Sequence, residues 1–576
     1  MPACPVRCAA ALIALAMAGA AQGASADLVI RNAMVYDGSG APPYKGEVAI
    51  RGDRIAYAGK ERGTRARRVI DAGGRAVAPG FINMLAHPEE SLLHDGRALS
   101  DLKQGVTLEV MGEDSMGPLN AGMARRLAEG QGDIKYPVTW NTLGGYLETL
   151  ERRGIAPNVA SFVGAPAARI VVLGHGSAQP DPAQLRAMQK VVAEAMEEGA
   201  LGVTSALIYA PATFAKTPEL IALARESARC GGIYSVHMRS EGDRIEAALE
   251  ETIAIARASG APAHIYHLKL AGKDNWHKLD KVVAAIDAAR ASGVRITADM
   301  YTYTAGATGL DAAMPPWVQE GGLDAWIARL KDPALRQRVL AEMRNAHPAD
   351  WENLYGAAGA KGTMLLALKN PALKPLIGKS LAQVARERGV TPEDAAIDLV
   401  IEDGSRVGLA YFLMSEENVR RQSALPWLSF GSDEAGNAPE GVFLQSSPHP
   451  RSYGNFARLF AQYVRKDGAL SVQEAVRKLT SLPADTLSLA GRGRLRAGNF
   501  ADVVVFDPAT LTDHATYAAP HQLATGVSHV IVNGVLALDG GEPTGAASGR
   551  VVRGRAWKGA PGGGCRASAA DWKWLP

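Results

Sequence analysis

Short apolar runs alternate with longer stretches of helical periodicity through the middle of this 576-residue chain. The candidate strands are 81–86, 107–112, 159–163, 202–209, 233–238, 263–268, 296–301 and 427–431. Stretches between them, such as 182–199, 217–230, 243–259 and 278–292, repeat apolar residues at helical spacing. Parallel strands cannot be joined by a tight hairpin and need a crossover, usually a helix. A β-then-α rhythm repeated about eight times therefore predicts an α/β fold, a parallel (β/α)8 TIM barrel. A further apolar run at 408–414 exceeds the eightfold count, and 310–375, with Pro315-Pro316 and several Trp residues, reads as an insertion.

The two ends have a different texture. Residues 28–36 alternate like a strand before Asp37-Gly38, and 47–58 read as a hairpin around Gly52-Asp53. Val503–Phe506 and Val527–Leu538 are strand-like, the latter with the two-residue turn Asn533-Gly534. The simplest assembly is a small β-sandwich built from 27–78 and 485–555, flanking a barrel over 79–484, with 556–576 as a tail.

At the N-terminus, Arg7 precedes an apolar run from Ala9 to Ala18, followed by Ala24-Ser25-Ala26. This is the layout of a secretory signal peptide over 1–26, and it predicts an exported protein, periplasmic or secreted. The run is shorter than the roughly 20 residues that span a bilayer, so no stable membrane span is expected. Beyond the leader only Cys230 and Cys565 remain, which makes no disulfide framework. A net charge of +3, without a basic stripe interleaved with aromatics, excludes a nucleic-acid partner and leaves a small-molecule substrate as the expectation.

In such barrels chemistry gathers at the C-terminal ends of the strands. There the sequence places His87; Glu113 and Asp114; Tyr209; His237 and Arg239; His267 and Lys269; Tyr301 and Tyr303; and Gly431-Ser432-Asp433. A hydrolytic metal site needs a few N or O ligands and an open position for water. His237, His267 and one carboxylate supply such a set, with Asp433 as the proton shuttle. His264 lies three residues from His267, so strand alternation sends it to the opposite face. Arg239 and Lys269 are placed to grip a substrate carboxylate. His449, in the Pro-rich stretch after the eighth strand, belongs to a segment that could cover the site, and His175 follows the third strand.

An ordered set of motifs carries a resemblance over nearly all of the chain past the leader. It comprises VAPGFIN (77–83), QGVT (104–107), GALGVTSALIYAP (199–211), HMRSEGDR (237–244), IYHLK (265–269), DMYTYTAGATGL (299–310), GSD (431–433), HPRSYG (449–454), LTSLPA (479–484), GRLRAGNFADVVVFDP (493–508) and IVNG (531–534). With these the chain resembles the amidohydrolase superfamily, and within it the N-acyl-D-amino-acid deacylases. The resemblance implies a distorted (β/α)8 barrel with a small β-sandwich and zinc-dependent removal of the acyl group from N-acyl-D-amino acids. It matches His237 and His267 to the zinc-ligand histidines and Asp433 to the catalytic Asp. Lys269, Tyr209 and one of Tyr301 and Tyr303 match residues around the substrate carboxylate.

Three departures stand out. The first strand of relatives ends in His-x-His, whereas here it reads Leu85-Ala86-His87. A zinc-ligand Cys after the second strand is replaced by Glu113-Asp114, of which Glu113 is favoured because its longer side chain directly follows the strand-ending Gly112. The fourth strand carries Thr204 and Ser205 instead of a bridging Lys. The implied centre holds one zinc tightly, with a second site near His87 weak or absent. The alternatives are another amidase of the superfamily acting on cyclic amides or dipeptides, and a catalytically inactive binding relative. Nothing in the sequence sets the oligomeric state.

Overall fold

The computed structural model describes residues 25–559 and Cys565. The expected leader lies outside the described residues apart from its last two positions, as does most of the 556–576 tail. Among the described residues no helix is long and apolar enough to cross a membrane.

Eight parallel strands form the central ring: Phe81–Asn83, Val106–Met111, Asn158–Ser161 with its continuation Val163–Gly164, Gly202–Ala206, Ile233–His237, Ala263–Ile265, Ile296–Met300 and Leu428–Phe430. The third strand is split. Asn158–Ser161 pairs with the second strand and Val163–Gly164 with the fourth, so this break and the junction of the first and eighth strands divide the ring into a three-stranded and a six-stranded sheet. The ring closes where Met84 N donates to Phe430 O at 3.2 Å and Asp433 N to Leu85 O at 2.8 Å. The crossover helices include Pro182–Glu197, Thr217–Arg229, Ile245–Ser259 and Leu279–Ala291. The first of these starts with Pro at its first turn and a capping box between Asp181 and Gln184, which satisfies otherwise orphaned backbone donors.

Strands from both ends of the chain form one nine-stranded sheet. Ala26–Val35 changes partner along its length, pairing in parallel with Ala66–Asp71 and then, past Asn32 at φ 51°, with Ala76–Pro79. That switch lets a continuous sheet fold over its own core, so the expected sandwich is one hydrogen-bonded sheet and not two. Alternation in Val503–Phe506 then does two jobs. Val503 and Val505 join the sheet's own core with Leu28, Ile30, Val48 and Ile50, whereas Val504 and Phe506 join the barrel core.

The apolar run at 408–414 has its own place. Gly408–Phe412 is the middle strand of an antiparallel sheet with Ala305–Gly309 and Thr363–Ala367. This unit leaves the barrel after the seventh strand and returns before the eighth, so the excursion extends beyond 310–375 on both sides.

One expectation is corrected. The two cysteines dismissed as forming no disulfide framework are bonded to each other: Cys230, at the end of helix Thr217–Arg229, pairs with Cys565 across 335 residues. Sequence separation hid this: Cys565 lies against the end of helix Thr217–Arg229. Cys565 is buried, and its carbonyl accepts from Arg229 Nη1 at 3.3 Å.

Candidate metal centre

Gly112 ends the second strand at φ 105°, and a Cβ there would lie 2.5 Å from Phe162 O, so the chain passes where only glycine fits. Glu113 follows and is turned inward. Its Oε1 lies 3.3 Å from His237 Nδ1 and 3.9 Å from His267 Nε2. His237 is the last residue of the fifth strand, and His267 lies two residues past the sixth. Glu113, His237 and His267 are buried, and each offers one ligand atom within 4.8 Å of the others. The other oxygen of Glu113, Oε2, lies 3.6 Å from His87 Nε2, which is 3.0 Å from Asp433 Oδ1. His87, Glu113 and Asp433 make a second group of the same kind, with Glu113 shared between the two.

Two imidazoles and a carboxylate form an accepted zinc set. Burial alone would push the Glu113 carboxyl up, but contacts with His237, His267 and His87 hold it well below the usual carboxylate range, in the ionised form a metal needs. His267 is oriented from behind: its Nδ1 lies 2.9 Å from Glu241 Oε1, which also accepts from Lys269 Nζ at 2.5 Å. A carboxylate on the rear nitrogen fixes the ring and leaves Nε2 toward the ligand group. Burial and Lys269 oppose a proton on His267, yet Glu241, Asp433 and Glu113 together raise its pKa to about 9. The residues fit a zinc ion.

Asp433 sits between cations. Burial raises its pKa, but Arg451, His267 and His87 outweigh burial and keep it ionised. Arg451 Nη2 reaches Asp433 Oδ2 at 2.8 Å and donates to its carbonyl at 2.7 Å. Arg451 also stacks over the Tyr301 ring, 4.2 Å from its centroid. A cavity of about 730 Å³ opens above these groups and is lined by His87, Glu113, Asp114, Tyr209, His237, His267, Lys269, Tyr301, Asp433 and Arg451, among others.

Several expected site residues lie elsewhere. Asp114 is exposed on the cavity wall and belongs to neither ligand group, because the chain has turned outward one residue after Glu113. Arg239 does not face the cavity: it binds Glu251 at 2.9 Å and the carbonyls of Thr213 and Ala215. Tyr303 is also outside, with its hydroxyl 3.3 Å from Asp513. Lys269 lines the cavity, but its ammonium is committed to Glu241 and His267 and is not free to hold a substrate. Tyr209 lies past its strand in a turn, its hydroxyl donating to Thr308 Oγ1 at 2.8 Å. Leu85 is buried in an apolar cluster with Met84 and Leu108.

His264 faces away from the centre, hydrogen-bonded to Asp299 and Thr297 at 2.8 Å each. His449 does line the cavity, while His175 does not. Sequence reasoning missed Glu241 and Arg451. Glu241 stands four residues past His237 in HMRSEGDR and Arg451 two past His449 in HPRSYG, and being strongly charged inside otherwise matching motifs was the available signal.

Comparison with known proteins places the chain in a family. The family model described as the amidohydrolase family matches residues 68–537. The chain is 33% identical to an N-acyl-D-glutamate deacylase of Alcaligenes xylosoxydans xylosoxydans over 527 residues, covering 92% of this chain and 96% of that one. It is also 33% identical to a D-aminoacylase of the same organism over 531 residues, covering 91% and 97%. The crystal structure of N-acyl-D-glutamate deacylase from Bordetella bronchiseptica, complexed with zinc and a phosphonate mimic of the tetrahedral intermediate, superposes with a TM-score of 0.76 at 30% identity, covering 92% of this chain and 99% of that one. With a barrel, a composite sheet and a two-histidine, one-carboxylate centre at the strand ends, this chain belongs to the amidohydrolase family.

Proposed function

We propose that this chain is an exported, zinc-dependent deacylase that hydrolyses N-acyl-D-amino acids. The observation that carries the reading is the placement of Asp433 beside Glu113, His237 and His267, a proton acceptor next to a zinc-type donor set in one cavity. Glu113, His237 and His267 would hold a zinc ion, which when bound would supply polarisation of the acyl carbonyl and acidification of a water. Asp433 takes that water's proton on Oδ1 and passes it to the departing amine nitrogen. His87, 3.0 Å away, holds Oδ1 in place, and Arg451 holds Oδ2. Arg451 Nε and Nη1 are buried without a hydrogen-bond partner in the protein, and the guanidinium lies against the Tyr301 ring. Arg451 and Tyr301 both line the cavity, and this cationic end suits the α-carboxylate of the substrate. The names of the relatives support an acylated D-amino acid.

The same reading assigns one tightly held zinc. The second group offers a single imidazole, it shares Glu113 with the first, and Leu85 can give no ligand atom. Elemental analysis of the purified protein should find about one zinc per chain, and His237→Ala or His267→Ala should lose it. Two tightly bound ions would overturn the single-zinc assignment. On substrates, N-acetyl-D-amino acids should be hydrolysed well ahead of their L-enantiomers, cyclic ureides and dipeptides. Preference for any of the latter would overturn the deacylase reading.

A further inference from the structure

Four rings stand in a row across the floor of the cavity. Tyr209 meets His237 with centroids 5.4 Å apart, His237 meets His267 at 4.5 Å, and His267 meets Tyr301 at 6.5 Å. Each end of the row carries an arginine on its tyrosine: Arg451 on Tyr301 at 4.2 Å and Arg406 on Tyr209 at 5.1 Å. The ligand histidines sit in the middle. An arginine thus stands at each end of a succession of ring contacts whose middle members are the two ligand histidines.

The Arg406 pole is built. Asp311 Oδ2, in a side chain only 8% exposed, binds Arg406 Nε at 2.7 Å and fixes the plane of the guanidinium. Arg406 Nη2 donates to Thr308 Oγ1 at 3.2 Å, and Tyr209 donates to the same oxygen at 2.8 Å. With two donors already on its oxygen, Thr308 has its own hydroxyl proton left to give. The Arg406 side chain is 49% exposed, and Arg406, Thr308 and Lys369 all line the cavity. A guanidinium edge beside a hydroxyl donor matches the planar, two-oxygen geometry of a carboxylate.

We infer that Arg406 and Thr308 bind a second carboxylate of the substrate, carried at the far end of the acyl group. The preferred substrates are then dicarboxylic monoacyl derivatives, such as N-succinyl-D-amino acids. This rests on the deacylase reading, in which the α-carboxylate occupies the Arg451 pole. An acceptor at the opposite end of the row belongs to the other side of the scissile bond, which is the acyl side.

The test compares kcat/KM for N-acetyl-D-alanine, N-succinyl-D-alanine and N-acetyl-D-glutamate in the zinc-loaded wild type, Arg406→Gln and Thr308→Val. The wild type should favour succinyl over acetyl by about ten- to a hundredfold, the range of one charged hydrogen-bonding contact. Arg406→Gln should collapse that ratio toward one, and Thr308→Val should lower it in part. Equal rates on succinyl and acetyl substrates, or a ratio unchanged in both variants, would overturn the inference and leave the deacylase reading standing. Loss in Arg406→Gln confined to N-acetyl-D-glutamate would overturn it by placing the carboxylate on the amino-acid side chain. If no acylated D-amino acid is turned over, the deacylase reading falls and this inference falls with it.

Discussion

At the scale of single residues, the centre is assembled where strands stop. His267 adopts φ 36° and Asp433 φ 52°, left-handed values that cost energy for any side chain and persist only where surroundings impose them. His267 N donates to Asp299 Oδ1 at 2.9 Å, and Asp433 N to Leu85 O at 2.8 Å, so each bend is held by a buried partner. The same geometry explains which residues were legible. His237, His267 and Asp433 sit at or just past strand ends and could be placed by counting. Arg239 and Tyr303 lie two and three residues past strands that end at His237 and Met300, and there the chain turns them away from the cavity. Asn tolerates left-handed backbone, so Asp433→Asn should keep its conformation and its zinc. Its kcat should nevertheless fall by about 10²–10⁴, the usual contribution of a positioned proton carrier. Steady-state kinetics beside metal analysis checks this, and a loss below about tenfold would remove Asp433 from the proton path.

At the scale of elements, periodicity located all eight barrel strands because each is a short apolar run between amphipathic helices. The insertion was harder to bound. Ala305–Gly309 is rich in small residues and lacks a strand's alternation, and its partners lie far away in sequence. The insertion nevertheless reaches the centre. Glu352 Oε2 accepts from Ser240 Oγ at 2.6 Å and Oε1 from Glu241 N at 3.0 Å. It thereby holds the loop that presents Glu241 to His267. Outer partners of this kind change metal affinity about 10- to 100-fold, so Glu352→Ala should weaken zinc binding by about tenfold, and Glu352→Gln, whose amide oxygen keeps one of the two acceptors, should weaken it less.

Burial, followed by the charge of Glu241, raises the Glu352 pKa from 4.5 to about 7. Between those values the folded state holds a proton the unfolded chain has released, so stability from this group falls as pH rises through that window. Melting midpoints of the zinc-loaded wild type should drop relative to Glu352→Gln between pH 4.5 and 7. Parallel curves would show that Glu352 titrates normally.

At the scale of the whole molecule, the chain is closed twice. The nine-stranded sheet joins the two ends non-covalently, and Cys230–Cys565 pins the tail to the outer helices. A buried disulfide persists in oxidising compartments and is rare in reducing ones, which is consistent with the export proposed above. The four cysteines make both readings countable. If the leader is removed and the disulfide is formed, protein isolated from its native compartment and denatured without reductant should titrate no free thiol. A retained leader would expose Cys4 and Cys8 as two thiols, and a reduced pair would add two more. Cys565→Ser should lower stability by about 2–4 kcal/mol, the usual worth of a cross-link. It should leave kcat unchanged, since Cys230 and Cys565 lie outside the cavity lining. Free Cys230 and Cys565 thiols in exported protein, or unaltered melting in the serine variant, would show that the tail is not held by this bond.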